Sequence, residues 1–352
     1  MVKKMKYNMK FWAGLWFAQF LLFYLFSKFQ NVVSFFELFF QAKQYIHQTI
    51  FSKIPFSIGD VFYTFLLFYI FIALYKIIKK NDSSKYLKQI FIVLNVLYFV
   101  YQLCWGMMYF QKPIIEKLHQ QKISIAQLET LTKEFILLTN KARENVNEDE
   151  KGNFKIKNLE SVKKSILKNE INISKKYYSH VPVQINNFKP SLFGAGMNYT
   201  GILGYYNPFS SEAQYNPHLP DTYIPFTLSH ESAHQLGFAR EQEASFIGFL
   251  ICERSNNPEL HYSAYLYTSK SLLNYLLDYD PNFVKKSKLI FSKKVQKDLE
   301  NEKEFNQHHD TFLRSSFHFL NDIFLKTNQQ EGTVTYNYYL ELLARYKIRL
   351  HK

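Results

Sequence analysis

Three apolar runs occupy most of the first third of this chain: Phe11 to Phe29, Ile58 to Ile78 and Gln89 to Phe110. Each approaches the roughly 20 helical residues that cross a hydrocarbon layer. A backbone in lipid must satisfy its own polar groups, so such runs fold as helices. Gln19, Asp60, Asn95 and Gln102 interrupt them, as they would in buried helices of a soluble core. Three runs in succession, with aromatic ends and lysine flanks, favour membrane spans instead. The first run follows Lys3, Lys4, Lys6 and Lys10 and shows no small-residue cleavage site, so it reads as a retained anchor.

The connector from Lys76 to Lys88 holds Lys76, Lys79, Lys80, Lys85 and Lys88, whereas Lys28 to Lys53 holds three lysines in a longer span. Positive charge favours the cytoplasmic side, which puts the N terminus and the second connector inside. Everything after Lys112 is then delivered outside the cytoplasm. Phe35 to Ile50, aromatic with few charges, reads as an amphipathic helix lying in the membrane interface. The expected division is a membrane domain of three transmembrane helices over 1–111 and a soluble domain over 112–352.

The net charge of +14 raises nucleic acid as a partner, but the lysines are scattered along amphipathic segments and flank apolar runs. No nucleic-acid binding is expected. Cys104 lies in an apolar run and Cys252 between apolar neighbours, which argues for packing rather than a disulfide framework or a nucleophile.

After Lys112, Ile123, Ile125, Leu128, Leu131, Phe135, Leu137 and Leu138 recur near a 3.6-residue period, with Ser124 as N-cap. Glu144 to Asn158 is a polar loop. Val181, Val183 and Ile185 alternate with polar residues and predict a short strand, and Met197 to Tyr206 predicts a second, ended by the turn Asn207-Pro208. That second strand suits either an exposed edge on which a peptide adds or an internal strand packed on a helix. From Pro225 onward the pattern is helical. The whole is mainly α with a small β-sheet.

Within that helical part, His230-Glu231-Ser232-Ala233-His234 is an HExxH segment. Histidines at i and i+4 share one helical face, so both imidazoles reach one Zn²⁺ and the intervening glutamate reaches its water. Pro225 suits helix entry and Gly237 helix exit. A tetrahedral catalytic site takes a third protein ligand, and Glu241 and Glu243 stand just beyond the glycine. Glu241 is preferred because Glu-x-x-Ala-Ser resembles the signature that supplies the third ligand in short gluzincin-type proteases. Arg240, where a metzincin would place a histidine, cannot ligate. The triplet His308-His309-Asp310 reads as a solvated helix face.

Pro225-Phe226-Thr227 leading into the HExxH segment and Gly237-Phe238-Ala239, the upstream Gly204-Tyr205-Tyr206-Asn207-Pro208-Phe209, and the late Asn321-Asp322 through Tyr336 together resemble domain-of-unknown-function family 3810. The resemblance covers essentially the whole chain. It implies a bacterial protein with N-terminal transmembrane helices and a zincin-like, gluzincin-type metallopeptidase domain. Ser245 stands where the resemblance leads one to expect asparagine.

The expected activity is zinc-dependent peptide hydrolysis at the bacterial inner membrane, with Glu231 as general base and a peptide or protein as substrate. Tyr336 and His261 are candidates for stabilising the oxyanion; the resemblance favours Tyr336. A non-catalytic zinc-binding sensor or scaffold is the competing reading, and the presence of Glu231, which zinc binding alone does not require, argues against it. The Thr227 to Arg240 segment is too polar for the site to lie within lipid.

Overall fold

The computed structural model describes residues 9–118, 122–173, 177, 182–328, 330 and 335–350, without the side chains of 335–337 and 348–350. Three of its helices, α1 (Met9–Phe26), α3 (Ile58–Ile78) and α4 (Ser83–Cys104), are long and apolar enough to cross a membrane. Little of any of them is buried inside the protein, the behaviour of helices that face lipid. The first helix stops three residues short of the expected Phe29. The third starts at Ser83 and stops at Cys104 rather than spanning Gln89 to Phe110. Its end is set from far away: Trp105 leaves helical geometry (φ −154°, ψ −48°), and its ring packs 4.6 Å from that of Tyr206. Gly106–Phe110 continues as a three-ten turn.

Between the first two of these helices, α2 (Gln30–Phe51) is amphipathic. Val33, Phe36, Phe40, Lys43, Gln44 and Gln48 are buried, while Phe35, Leu38, Tyr45 and Ile46 are exposed on the other side. The expected amphipathic helix is thus present, with one face packed on the protein and an apolar face exposed.

The polar residues inside the apolar runs have assigned work. Gln19 Nε2 donates to Asn95 Oδ1 at 3.2 Å and joins α1 to α4. Asp60 lies in the first turn of α3, where its carboxylate accepts from Ser191 Oγ at 2.9 Å and from the Leu192 N–H at 2.7 Å.

The rest of the chain is mainly helical around a three-stranded sheet. In order come α5 (Ile125–Arg143), α6 (Leu159–Glu170), β1 (Phe188–Pro190), α7 (Gly194–Thr200), β2 (Gly204–Asn207) and β3 (Glu212–Tyr215). Then follow α8 (Ile224–Gln235), α9 (Glu241–Glu253), α10 (Pro258–Leu276), α11 (Pro281–Lys288), α12 (Lys293–His308), α13 (Phe312–Thr327) and α14 (Thr335–Leu350). Ser124 and Gln127 form a full capping box on α5, and α6 begins directly after the expected loop, capped by Asn158. Leu137 departs from the expected apolar stripe of α5 and is exposed.

The sheet order is β1-β3-β2, with β1 parallel and β2 antiparallel to β3. Both strand expectations shift. The first expected strand includes Val181, which lies outside the described residues, and regular pairing begins only at Phe188. Of Met197 to Tyr206, the first part is helical in α7, closed by Gly201 at φ +75°, and only Gly204 onward is strand. Glycines at 194 and 196 offer no β-branched or apolar alternation to hold an extended chain there.

The parts before and after residue 112 interlock. Glu212 of β3 accepts the Ile58 N–H at 3.0 Å and the Gly59 N–H at 2.8 Å, so a carboxylate of the sheet caps the start of one of the three long apolar helices. Phe40, Trp105, Met108 and Tyr109 share one apolar cluster with Tyr206 and Ala239. The 111/112 division therefore falls in a segment that packs against both parts.

Arg143 is fully buried and its Nε donates to Asp298 Oδ2 at 2.5 Å. The same carboxylate accepts from the Tyr262 hydroxyl and from the Phe154 N–H. Removing it leaves the buried cation with only the partly exposed Glu148 as counter-ion and strands two further donors, a change that costs about 3 kcal/mol. Asp298→Ala is accordingly expected to lower the unfolding temperature of the detergent-solubilised chain by well over 5 °C; a change within 1 °C would count against the buried pair.

Candidate metal centre

The centre sits where α8 and α9 cross, and two glycines allow the approach. Gly248 of α9 lies against the backbone of Ser229 and His230, where an added Cβ would come within about 3.0 Å of His230 N. Gly237, at φ +96°, ends α8 as the sequence predicts and lets the chain turn back into α9. Glu241 becomes the first residue of α9, within reach of the two histidines of α8.

His230, His234 and Glu241 come together with their potential ligand atoms all within 4.8 Å of one another. Glu241 Oε2 lies 3.1 Å from His230 Nε2, and Oε1 lies 3.6 Å from His234 Nε2. Among the described residues this is the one cluster of three or more His, Cys, Asp or Glu groups able to hold a metal. The outer nitrogens are engaged elsewhere: His234 Nδ1 with the Phe238 carbonyl at 2.7 Å, and His230 Nδ1 with Ser245 Oγ at 3.1 Å. A carbonyl can only accept, so His234 Nδ1 carries a proton and the neutral ring turns a bare Nε2 lone pair toward a carboxylate. Two acceptors face to face require a cation between them, either a proton or a metal.

The two His–Glu separations fit a metal. Tetrahedral ligands at bond lengths of about 2.0–2.1 Å lie about 3.3 Å apart, between the two His–Glu separations here. Two imidazoles and one carboxylate are a donor set that zinc takes. Without an ion, burial works against charge on His234, yet Glu241 holds its pKa up at about 9. Burial likewise opposes charge on Glu241, but the two histidines outweigh it and pull its pKa far below the usual range.

Glu231 is buried beside this cluster, and burial lifts its pKa to about 7 against the pull of His230 and His234. The Tyr206 backbone N–H favours the charged form more weakly. Its Oε2 is buried without a partner among the described residues. Such an orphan costs free energy unless a ligand or water serves it, so it marks a place for one.

The edge strand β2 runs alongside. Asn216 N bonds to Leu203 O and Ser211 N to Asn207 O, so by antiparallel alternation Gly204 and Tyr206 turn their backbone groups away from β3. Both sequence readings of this strand hold in part: β2 is an edge, and it also packs on α8. Gly204 has no room for a side chain, since a Cβ there would meet Gln214 O and Thr227 Cγ2 at 2.7 Å.

Glu243 faces elsewhere. Its Oε1 accepts the Ile114 N–H at 2.7 Å and lies 3.4 Å from Arg240 Nη1, which ties α9 to the segment that follows α4. The Tyr336 side chain lies outside the described residues. His261 is stacked on Tyr265 in α10 and does not join the cluster. His309 is bonded to Phe305 O just past the end of α12 and belongs to no metal-capable cluster among the described residues. Cys252 is fully buried with Sγ on Ser229 Oγ at 3.1 Å, and burial pushes its thiol up to about 12, as inert packing requires.

Sequence reasoning missed three neighbours. The Trp105 ring stands edge-on to His234 at 5.7 Å, the Phe238 carbonyl orients that histidine, and Gln330 Oε1 accepts the Glu241 N–H at 3.0 Å. Trp105 and Gln330 are 129 and 89 residues from the groups they meet, a distance no local pattern bridges.

A fourth group lies behind α8. Glu170 is buried, accepts a hydrogen bond from Ser232 Oγ, and burial pushes its pKa up to about 8 against that bond. Its folded pKa exceeds the unfolded value, so the unfolded chain releases this proton first, and stability present below about pH 4.5 is lost as pH rises through about 8. Glu170→Gln is expected to gain several degrees in unfolding temperature over wild type at pH 8 and little at pH 5. A pH-independent difference would refute the assignment.

The model of one protein family, described as a protein of unknown function (DUF3810), matches residues 35–344. No curated protein and no solved structure matches the chain.

Proposed function

We propose that this chain, which belongs to the DUF3810 family of proteins of unknown function, is a membrane-anchored zinc-dependent peptidase with a zincin-like site. The observation that carries the reading is the convergence of His230, His234 and Glu241 beside the unpartnered Oε2 of Glu231. His230 Nε2, His234 Nε2 and a Glu241 oxygen would hold Zn²⁺, which supplies a Lewis acid for a substrate carbonyl and acidifies water to a pKa of about 7.

The chain's own groups do the rest. Glu231 Oε2 takes a proton from the attacking water and returns it to the leaving amine nitrogen, a role that suits a carboxylate raised toward neutrality by burial. The Phe238 carbonyl and Ser245 hydroxyl fix the two imidazoles. Gly204 offers its outward backbone N–H and C=O to an extended peptide. Tyr336 remains the candidate donor to the oxyanion, on the strength of the resemblance alone. Lysine placement supports an active domain outside the cytoplasm of a bacterial cell.

Elemental analysis of the full chain in detergent tests the metal: about one zinc per chain is expected after mild dialysis, and folded protein that takes up none on addition of zinc sinks the reading. Zinc without cleavage in a peptide-library screen would favour the sensor or scaffold.

A further inference from the structure

We propose that α13 is a second membrane-surface helix, docking its apolar face into the lipid of the same leaflet in which α2 lies. This does not depend on the peptidase reading.

Phe312, Leu313, Phe319, Leu320, Ile323 and Phe324 are all exposed, Phe312 by 84% and Phe319 by 66%. At 100° per residue they fall within one face about 140° wide. The opposite side is held by the protein: Leu325 is buried, and Arg314 Nη2 donates to Asn306 Oδ1 at 2.9 Å. A contiguous apolar face of this size is rare on a surface bathed in water.

Its occupant follows from where the helix is anchored. Just beyond α13, Asn328 Oδ1 accepts from the Tyr101 hydroxyl at 3.1 Å, and Tyr101 lies in the last turn of the spanning helix α4. That bond fixes the end of α13 where α4 leaves the bilayer. The helix therefore ends next to a hydrocarbon phase and carries a face suited to it. Burial about 5–10 Å into the boundary between headgroups and acyl chains is the depth at which such helices lie. Two residues past Asn328, Gln330 accepts the Glu241 N–H, so the helix also fixes the height of the metal centre above the lipid. On the other side of the centre, Gln44 of α2 donates to Gln235 O at 2.6 Å, at the end of α8.

The test is nitroxide accessibility in the full chain, reconstituted in vesicles of phosphatidylethanolamine and phosphatidylglycerol. Spin labels are placed by Phe319→Cys and Ile323→Cys, with His318→Cys on the opposite, polar side as control and the unsubstituted chain as labelling blank. Oxygen is expected to relax the labels at 319 and 323 several-fold more than a water-soluble nickel chelate does, with the order reversed at 318. Equal access of the chelate to all three positions would place the face in water and overturn the proposal. Exclusion of both reagents at 319 and 323, with cross-linking between chains, would assign the face to a second copy and overturn it equally.

Discussion

Glu231→Gln is expected to lower peptide hydrolysis by about 10²–10⁴-fold while zinc content and unfolding temperature stay within error of wild type. The amide keeps nearly the shape of the carboxylate and still offers an oxygen toward the Tyr206 N–H. What it loses is the ability to take a proton at the position of Oε2, which has no other partner among the described residues. Replacing a buried carboxylate that burial already disfavours costs the fold little. The measurement is turnover of a cleaved peptide alongside elemental analysis of the same preparation. Full activity in the glutamine variant would overturn the mechanism, whatever the metal content.

The second large effect separates two glutamates that stand two residues apart. Glu241→Ala should weaken zinc binding at least about 100-fold, beyond what loss of an outer hydrogen bond produces, because it removes one of three protein donors. Glu243→Ala should leave zinc in place and lower stability instead, since it strands the buried Ile114 N–H and releases Arg240. Competition with a zinc chelator reads the first, and thermal unfolding reads the second. Zinc lost in Glu243→Ala and kept in Glu241→Ala would move the third ligand to the other face of α9.

Much of this site was legible because it is local. The i, i+4 pair, the entry proline and the exit glycine lie within 13 residues, and helical geometry converts that spacing directly into position. Glu241 was legible as well, since a glycine break followed by a helix start places the next carboxylates near the previous turn. The distinction between Glu241 and Glu243 was argued from resemblance. In the structure register separates the two carboxylates: α9 begins at Glu241, which meets the histidines, and turns Glu243 about 200° away toward Ile114.

The sequence by itself determined the three apolar helices, the amphipathic helix between the first two, the capping of α5 and the helix that carries His230, Glu231 and His234, all of them features written in periodicities of a few residues. Tertiary structure alone decided where α4 ends, because Trp105 leaves the helix to pack on Tyr206 and His234. It also made α7 of residues expected to be a strand, brought Gln330 to Glu241, and set Glu212 over the start of α3. Each of these joins groups far apart in the chain through the burial of an aromatic ring or the pairing of a buried polar group. Such contacts depend on which surfaces meet in the packed core, and spacing along the sequence carries no record of that.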